Sequence, residues 1–341
     1  MLTARIALAA LASFVAAILF GPVAIAWLKG RFRERIASAS PTLNKLHENK
    51  QQTPTMGGMF IVAAVIVATL LCGDLSNPYV QLGLFTTIAF GVLGAVDDWI
   101  KLRTARPGLK AREKFVIQLV LSLAVVGWMM RIQQQHALAS HLIWPVGNAG
   151  IHLGWWLLPW GVLVLTGSSN GVNLTDGLDG LASGCTLTTS AALTTMVYLS
   201  GHREFAEFLS VPHLIGVGEL CVVLAALSGA VLGFLWFNCH PAQVFMGDAG
   251  SLPIGALLGL SALAIKQEIL LAVIGGVFVV ETVSVILQIG IYRLTGRRIL
   301  RCSPLHNHFL FRGDHEVKIV TRFWICSALF AIAGLACLKL R

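Results

Sequence analysis

The sequence predicts an all-α, polytopic membrane protein of about ten transmembrane helices, and three observations carry that expectation. Apolar residues make up 56% of the 341 positions and charged residues only 12%, against about 25% charged in ordinary soluble domains. The mean hydropathy is +0.77. The apolar residues gather into long runs near the roughly 20 residues that carry a helix across about 30 Å of hydrocarbon, and Lys and Arg collect in alternate connections between those runs.

The runs lie at about 5–28, 57–72, 79–96, 115–130, 155–167, 180–200, 213–237, 251–265, 268–292 and 322–340. The fifth and eighth are the shortest. The first is too long for a secretory signal and reads as a retained span. There is no strong internal repeat, low-complexity tract or soluble domain, so 1–341 reads as one membrane domain. The seven cysteines, at 72, 185, 221, 239, 302, 326 and 337, show no paired spacing. Most sit in apolar runs and read as small reduced hydrophobes, not disulfides or zinc ligands.

Orientation follows from the basic residues, because short cytoplasmic loops hold the excess of Lys and Arg. Lys29, Arg31, Arg33, Arg35, Lys45 and Lys50 fall in loop 29–56, and Lys101, Arg103, Arg106, Lys110, Arg112 and Lys114 in loop 97–114. Arg293, Arg297, Arg298, Arg301, Arg312 and Lys318 fall in 293–321, while the intervening loops hold almost none. Both termini are therefore expected outside. The net charge of +9 gathers on the cytoplasmic face, where it attracts anionic headgroups and anionic substrates.

That assignment uses Lys and Arg alone, yet it places Asp97, Asp98, Asp176, Asp179 and Asp248 on the same face. Five aspartates expected to meet there suggest a divalent cation and phosphate chemistry at the bilayer surface. Asp97 and Asp98 end a run, where one accepts a proton or binds metal while the other is held by a cation such as Lys101 or Lys114. In 169–180, SNGVNLTDGLDG, a spacing of three puts Asn173, Asp176 and Asp179 on one broad face if helical, and the glycines admit a ligand close to the backbone. No Lys or Arg lies between 132 and 202, so a metal or a distant lysine is the expected partner. In 245–250, FMGDAG, Asp248 suits Mg²⁺, which takes oxygen ligands while bridging phosphates. Phe245, three residues earlier, either stacks on a base or packs at the membrane interface.

His306 and His308 share a side if 304–309 is extended, which favours phosphate or substrate contact. Zinc lacks a completing ligand nearby. Lys50 offers a point charge for an anion and Thr55 a hydroxyl donor at the start of the second run. Glu281, inside the ninth run, is either a functional intramembrane carboxylate or a bond to a neighbouring helix. His136, His141 and His152 fall in an outside loop and look unremarkable.

These segments together resemble the polyprenyl-phosphate N-acetylhexosamine-1-phosphate transferase superfamily, and within it the phospho-N-acetylmuramoyl-pentapeptide transferases. The resemblance runs through 53–58 (TPTMGG), 96–98 (VDD), 170–181 (NGVNLTDGLDGL), 236–238 (WFN), 241–252 (PAQVFMGDAGSL), 303–309 (SPLHNHF) and 322–324 (RFW). The aspartate motifs are shared across the superfamily; TPTMGG and the histidine loop point to the muramoyl-pentapeptide group. That loop usually reads His-His-His, whereas here the middle residue is Asn307, whose amide both donates and accepts.

The resemblance implies transfer of phospho-MurNAc-pentapeptide from its UDP carrier to undecaprenyl phosphate, giving lipid I and UMP with Mg²⁺, at a cytoplasmic active site. It also implies the bacterial cytoplasmic membrane and a homodimer among membrane lipids; no nucleic-acid partner is expected. Asp248 would hold the metal, Asp97 would be the base on the lipid phosphate, and Asp98 would assist. Asn173, Asp176, Lys114, His306 and His308 would line the phosphate and sugar region, with Asn307 and Asn238 among the substrate contacts. Uracil would lie near Lys50, Gly177, Leu178 and Asp179 with Phe245 stacked on it. Direct attack by the lipid phosphate and a route through an aspartyl intermediate both remain open. A relative using another UDP-sugar is the near alternative. An anion transporter is the distant one, disfavoured because transporters place ionisable groups near the midplane.

Overall fold

The computed structural model describes residues 1–31, 50, 53–104, 106, 108–145 and 150–339. Arg33, Arg35 and Lys45 of the first basic loop, and the last residue of the tenth predicted run, lie outside the described residues. Helices carry the architecture: α1 (Leu2–Lys29), α2 (Gly58–Cys72), α3 (Pro78–Arg103), α4 (Ala111–Gln133), α5 (Leu157–Thr175), α6 (Leu181–Gly201), α7 (Arg203–Leu209) and α8 (Leu220–Asn238). They continue with α9 (Asp248–Ala264), α10 (Glu268–Ile274), α11 (Gly276–Thr295), α12 (Leu305–Phe311) and α13 (Glu316–Cys337).

Among the described residues, length and apolarity suffice for a membrane crossing in six segments: α1, α3, α4, Val217–Asn238 (which includes α8), α11 and α13. The described residues form an all-helical membrane protein apart from one short antiparallel hairpin, β1 (His141–Ile143) on β2 (Gly150–His152), with Leu142 opposite Ile151. Helices α2 and α9 are apolar but shorter. Helix α6 buries most of its length, and an inward helix can carry Ser and Thr because neighbouring helices, not lipid, meet its side chains.

Four boundaries differ from the sequence expectation in ways that matter. Helix α3 does not stop at Asp98 but continues to Arg103, because Lys101 pairs with Asp97 and Asp98 one turn back. Helix α5 runs on to Thr175 and so carries Asn173 in its last turn. Helix α9 begins at Asp248 itself. The ninth run is two helices broken at Gly275, beside Gly276, a pair of the kind that kinks helices.

Helix α9 is the centre of the molecule: all 17 of its residues are buried, chiefly against α3 and α5, with α2 and α6 alongside. Missing side chains allow this. A Cβ on Gly94 of α3 would fall on the Asp248 carbonyl, and one on Gly58 of α2 would fall on the Gly250 backbone, so both helices approach α9 backbone to backbone. Helix α1 packs on α8 and α2, and α13 packs on α6 and α10.

Candidate active site

Three helix ends converge on one group of carboxylates. Asp97 and Asp98 come from the extended end of α3 and Asp248 from the first position of α9; one oxygen from each lies within 4.8 Å of the others. All three are buried. Gly247, which precedes α9, has φ 71°, a conformation that favours glycine. The Ala249 N–H, one of the donors a helix start leaves without an intrahelical partner, donates to Asp98 Oδ2 at 3.0 Å. Asp98 thus fixes α9 to α3 as well as contributing charge.

Two lysines close the group. Lys101 Nζ lies 2.7 Å from Asp97 Oδ2, 3.3 Å from Asp98 Oδ1 and 2.8 Å from Asp248 Oδ2. Lys114, in the first turn of α4, lies 2.6 Å from Asp248 Oδ2 and 3.7 Å from Asp97 Oδ2. Asp97 Oδ1 accepts from Leu109 N–H at 2.7 Å. On the other side of Asp248, Asn173 Nδ2 donates to Oδ1 at 2.7 Å and lies 2.8 Å from Ser251 Oγ. Sequence reasoning gave Lys101 only a supporting part, yet its ammonium touches all three carboxylates. The signal available was its spacing of four and three from the Asp pair.

The five aspartates do not form one cluster. Asp179 belongs to a second group, in which its Oδ1 receives Lys50 Nζ at 2.6 Å and its Oδ2 receives His240 Nδ1 at 3.0 Å and Ala242 N–H at 3.1 Å. Lys50 Nζ also lies 2.5 Å from Glu316 Oε1. The chain turns between the two groups: α5 ends after Asn173, Asp176 is its C-cap residue, and 177–180 forms the turn into α6. The distant lysine that Asp179 requires is Lys50, and Glu316 and His240 are partners that sequence reasoning missed.

The histidine loop also differs from expectation. Residues 305–311 form α12, so His306 and His308, two apart, point to different sides. His306 is 1% exposed. Its N–H donates to Glu281 Oε1 at 3.1 Å, its Nδ1 lies 3.3 Å from Glu281 Oε2, and its Nε2 occupies the space a Cβ on Gly177 would fill. In this arrangement His306 supports the Gly177 turn from below, and Glu281 is its bond to a neighbouring helix. His308 Nδ1 accepts from Arg301 N–H at 3.1 Å, and Asn307 is buried.

Asn238, expected among the substrate contacts, makes three hydrogen bonds within the protein. Its Oδ1 accepts from Gly180 N–H and Ser183 Oγ, and its Nδ2 donates to the Val244 carbonyl, tying the 177–180 turn to the 241–247 loop. Leu178 is a core side chain, so only its backbone is available to a ligand. Phe245 is half-buried; its N–H donates to the Pro54 carbonyl and its own carbonyl accepts from Gly57 N–H. These bonds hold TPTMGG beside the Asp248 loop and bring Thr55 next to Gly247.

The donor set of Asp97, Asp98 and Asp248 is all carboxylate oxygen, the chemistry that hard divalent cations select. Three ionised carboxylates against two ammonium groups leave one net negative charge, which favours a cation beside them. The Asp179–His240–Glu316 group also brings three potential ligand atoms within 4.8 Å of one another, but one of them is an imidazole nitrogen, a donor that suits softer cations than Mg²⁺.

A carboxylate and lysine cluster carried on the ends of buried membrane helices is the equipment of a membrane-embedded transferase acting on phosphate esters. The family model described as glycosyl transferase family 4 matches residues 80–266, more than half of the chain. The phospho-N-acetylmuramoyl-pentapeptide-transferase of Nitratidesulfovibrio vulgaris is 46% identical over 343 residues, covering 100% of this chain and 94% of that protein. Those of Koribacter versatilis and Leptospira biflexa are each 43% identical, covering 100% and 99% of this chain and 94% of each relative. The chain belongs to glycosyl transferase family 4 and, within it, to the phospho-N-acetylmuramoyl-pentapeptide transferases.

Proposed function

We propose that this protein transfers phospho-MurNAc-pentapeptide from UDP-MurNAc-pentapeptide to undecaprenyl phosphate, forming lipid I and releasing UMP. The observation that carries the reading is the buried Asp97–Asp98–Asp248 group clasped by Lys101 and Lys114, in a chain that full-length relatives of that name match. An oxygen of the lipid phosphate attacks the sugar-bearing phosphorus of the donor, and the bond from that phosphorus to UMP breaks. Both substrates are anionic, so their repulsion must be offset before they approach. Lys101 and Lys114 supply that positive charge from within the carboxylate group, and Asp97, at the shared oxygen Oδ2, is positioned to take the proton of the lipid phosphate.

Asp248, with Asp98 and Asp97 beside it, would hold Mg²⁺, which when bound neutralises phosphate charge and orients the diphosphate. Asn173, itself bonded to Ser251, orients Asp248. The Lys50 and Asp179 group and the 177–180 turn take the uridine end, with Phe245 as its stacking face. Ten crossings, a cytoplasmic active site in the bacterial inner membrane and a homodimer belong to the same reading. The test uses detergent-purified protein: UMP release from UDP-MurNAc-pentapeptide is expected only when both undecaprenyl phosphate and Mg²⁺ are present. Equal turnover of UDP-N-acetylglucosamine in competition would assign the chain to another donor, and no UMP release with both substrates present would sink the reading.

A further inference from the structure

Resting on the assignment of the Lys50 and Asp179 group to the nucleotide end of the donor, we propose that Glu316 is a positioning residue for that pocket. Glu316 is the first residue of α13, and nothing in the reaction requires it to touch substrate. Its Oε1 accepts two donors at once: Lys50 Nζ at 2.5 Å and the Asp179 N–H at 2.9 Å. The same ammonium is bound by Asp179 Oδ1 at 2.6 Å. One carboxylate oxygen thus sets both the cation of the pocket and the backbone that turns Asp179 toward it.

The three partners are far apart in sequence, with Lys50 129 residues from Asp179 and 266 from Glu316, so no local propensity assembles them. Side-chain exposures of 14%, 3% and 12% for Lys50, Asp179 and Glu316 take the pairing out of the weak regime of solvated surface ion pairs. A second tie fixes the same registration: Trp324 Nε1, two turns along α13, donates to the Gly180 carbonyl at 3.1 Å. Helix α13 therefore grips the 177–180 turn at two points, and Glu316 is the one that also reaches Lys50.

Without Glu316, the lysine has a single anionic partner on a flexible four-carbon stem, and the Asp179 N–H loses its acceptor. The remaining charge is also informative. Two carboxylates, Asp179 buried and Glu316 half-buried, share one ammonium, with His240 Nδ1 3.0 Å from Asp179 and 3.9 Å from Glu316. Such a group favours a ligand that brings hydrogen-bond donors and carries its negative charge elsewhere, as a nucleobase with a distant diphosphate does.

The experiment is calorimetric titration of UMP into the full-length protein in detergent, alongside steady-state rates. Glu316→Ala is expected to weaken UMP binding by about tenfold or more, and Glu316→Gln, which keeps an acceptor for Asp179 N–H, by less. The kinetic loss should fall on KM for the UDP donor more than on kcat. The double variant Lys50→Met/Glu316→Ala should lose less UMP affinity than the sum of the two single losses, because the contribution through Lys50 is already gone, a coupling that a purely structural residue would not produce. Unchanged UMP affinity in Glu316→Ala, or additive losses in the double variant, would overturn the positioning role while leaving the pocket assignment standing. Wild-type protein that turns over but shows no UMP binding, with Lys50→Met kinetically silent, would overturn the pocket assignment and Glu316's role with it.

Discussion

Replacing Asp248 by Asn separates metal and phosphate handling from mere shape. Oδ2 accepts from two ammonium groups, at 2.8 Å and 2.6 Å, and Oδ1 from the Asn173 amide at 2.7 Å. Both oxygens face donors, so an amide at 248 must turn its NH₂ against one set or the other. Hydrogen bonds to charged groups contribute about 1.5–3 kcal/mol each, and the two to the lysines amount to roughly 3–6 kcal/mol, or about 10²–10⁴-fold in rate if they are held in the transition state. The side chain also loses the charge that holds a hard cation, so the Mg²⁺ concentration for half-maximal rate should rise. The assay is UMP release against Mg²⁺ concentration for wild type, Asp248→Asn and Asp97→Asn. Asp97→Asn should lose about 10²–10⁴-fold in rate, as for a missing general base, with the Mg²⁺ midpoint nearly unmoved. A wild-type midpoint in Asp248→Asn, or rescue of Asp97→Asn by high Mg²⁺, would show that the two roles are reversed.

Gly94→Ala should force α3 off α9, because its Cβ would fall on the Asp248 carbonyl. The expected cost is about 1–3 kcal/mol of overpacking, read as a lower Tm in detergent, whereas Gly127→Ala, whose Cβ meets nothing within 4 Å, should be neutral or stabilising; equal Tm values for the two would refute the close approach. His306→Ala removes the imidazole that fills the space beside Gly177, and truncating a large buried side chain to Ala costs about 2–5 kcal/mol, read as a lower Tm in detergent. Asn307→His should keep activity within about tenfold, roughly 1.4 kcal/mol of barrier; small and equal effects at 306 and 307 would remove the support assigned to His306. In intact cells, with exposed Cys239 and Cys326 first replaced, impermeant thiol reagents should reach cysteines introduced in 132–145 and 201–212 but not in 97–104 or 303–316. Labelling of 303–316 from outside would invert the orientation.

Most helix positions were legible because a lipid-facing helix must be apolar along its length, and hydropathy detects that directly. The extension of α3 beyond Asp98 was hidden for the same reason: charge ends the apolar run, while the backbone continues because Asp97 and Lys101 stabilise one more turn. Asp97, Asp98, Asp248, Lys114 and Asn173 were legible as polar residues at run ends, and the structure brings them together. Asp179 was legible as a carboxylate without a local cation, but its actual partners depend on packing α13 against the start of α6, which no window of sequence contains. His306 and His308 share a side only if their segment is extended, whereas Pro304 is the N-cap residue of a helix of seven residues, too short for periodicity to mark. The small hairpin after α4 escaped because strands of three residues are too short for periodicity to register.

The wholly enclosed position of α9 separates the chemistry from the mechanics of the bilayer. Changes in membrane thickness act on helices that touch lipid, through tilt and stretching at modest cost per ångström. In this protein those helices are at the perimeter, where α1, α4, α11 and α13 expose apolar side chains such as Leu19, Val120, Ile286 and Leu329. Helix α9 presents no lipid-facing side, and it carries Asp248 at its tip with Asp98 fastened to its second residue. A thicker or thinner membrane therefore acts first on the perimeter, while Asp248 keeps an enclosed seat that the Ala249 N–H bond to Asp98 ties to α3, the helix that carries the other two carboxylates.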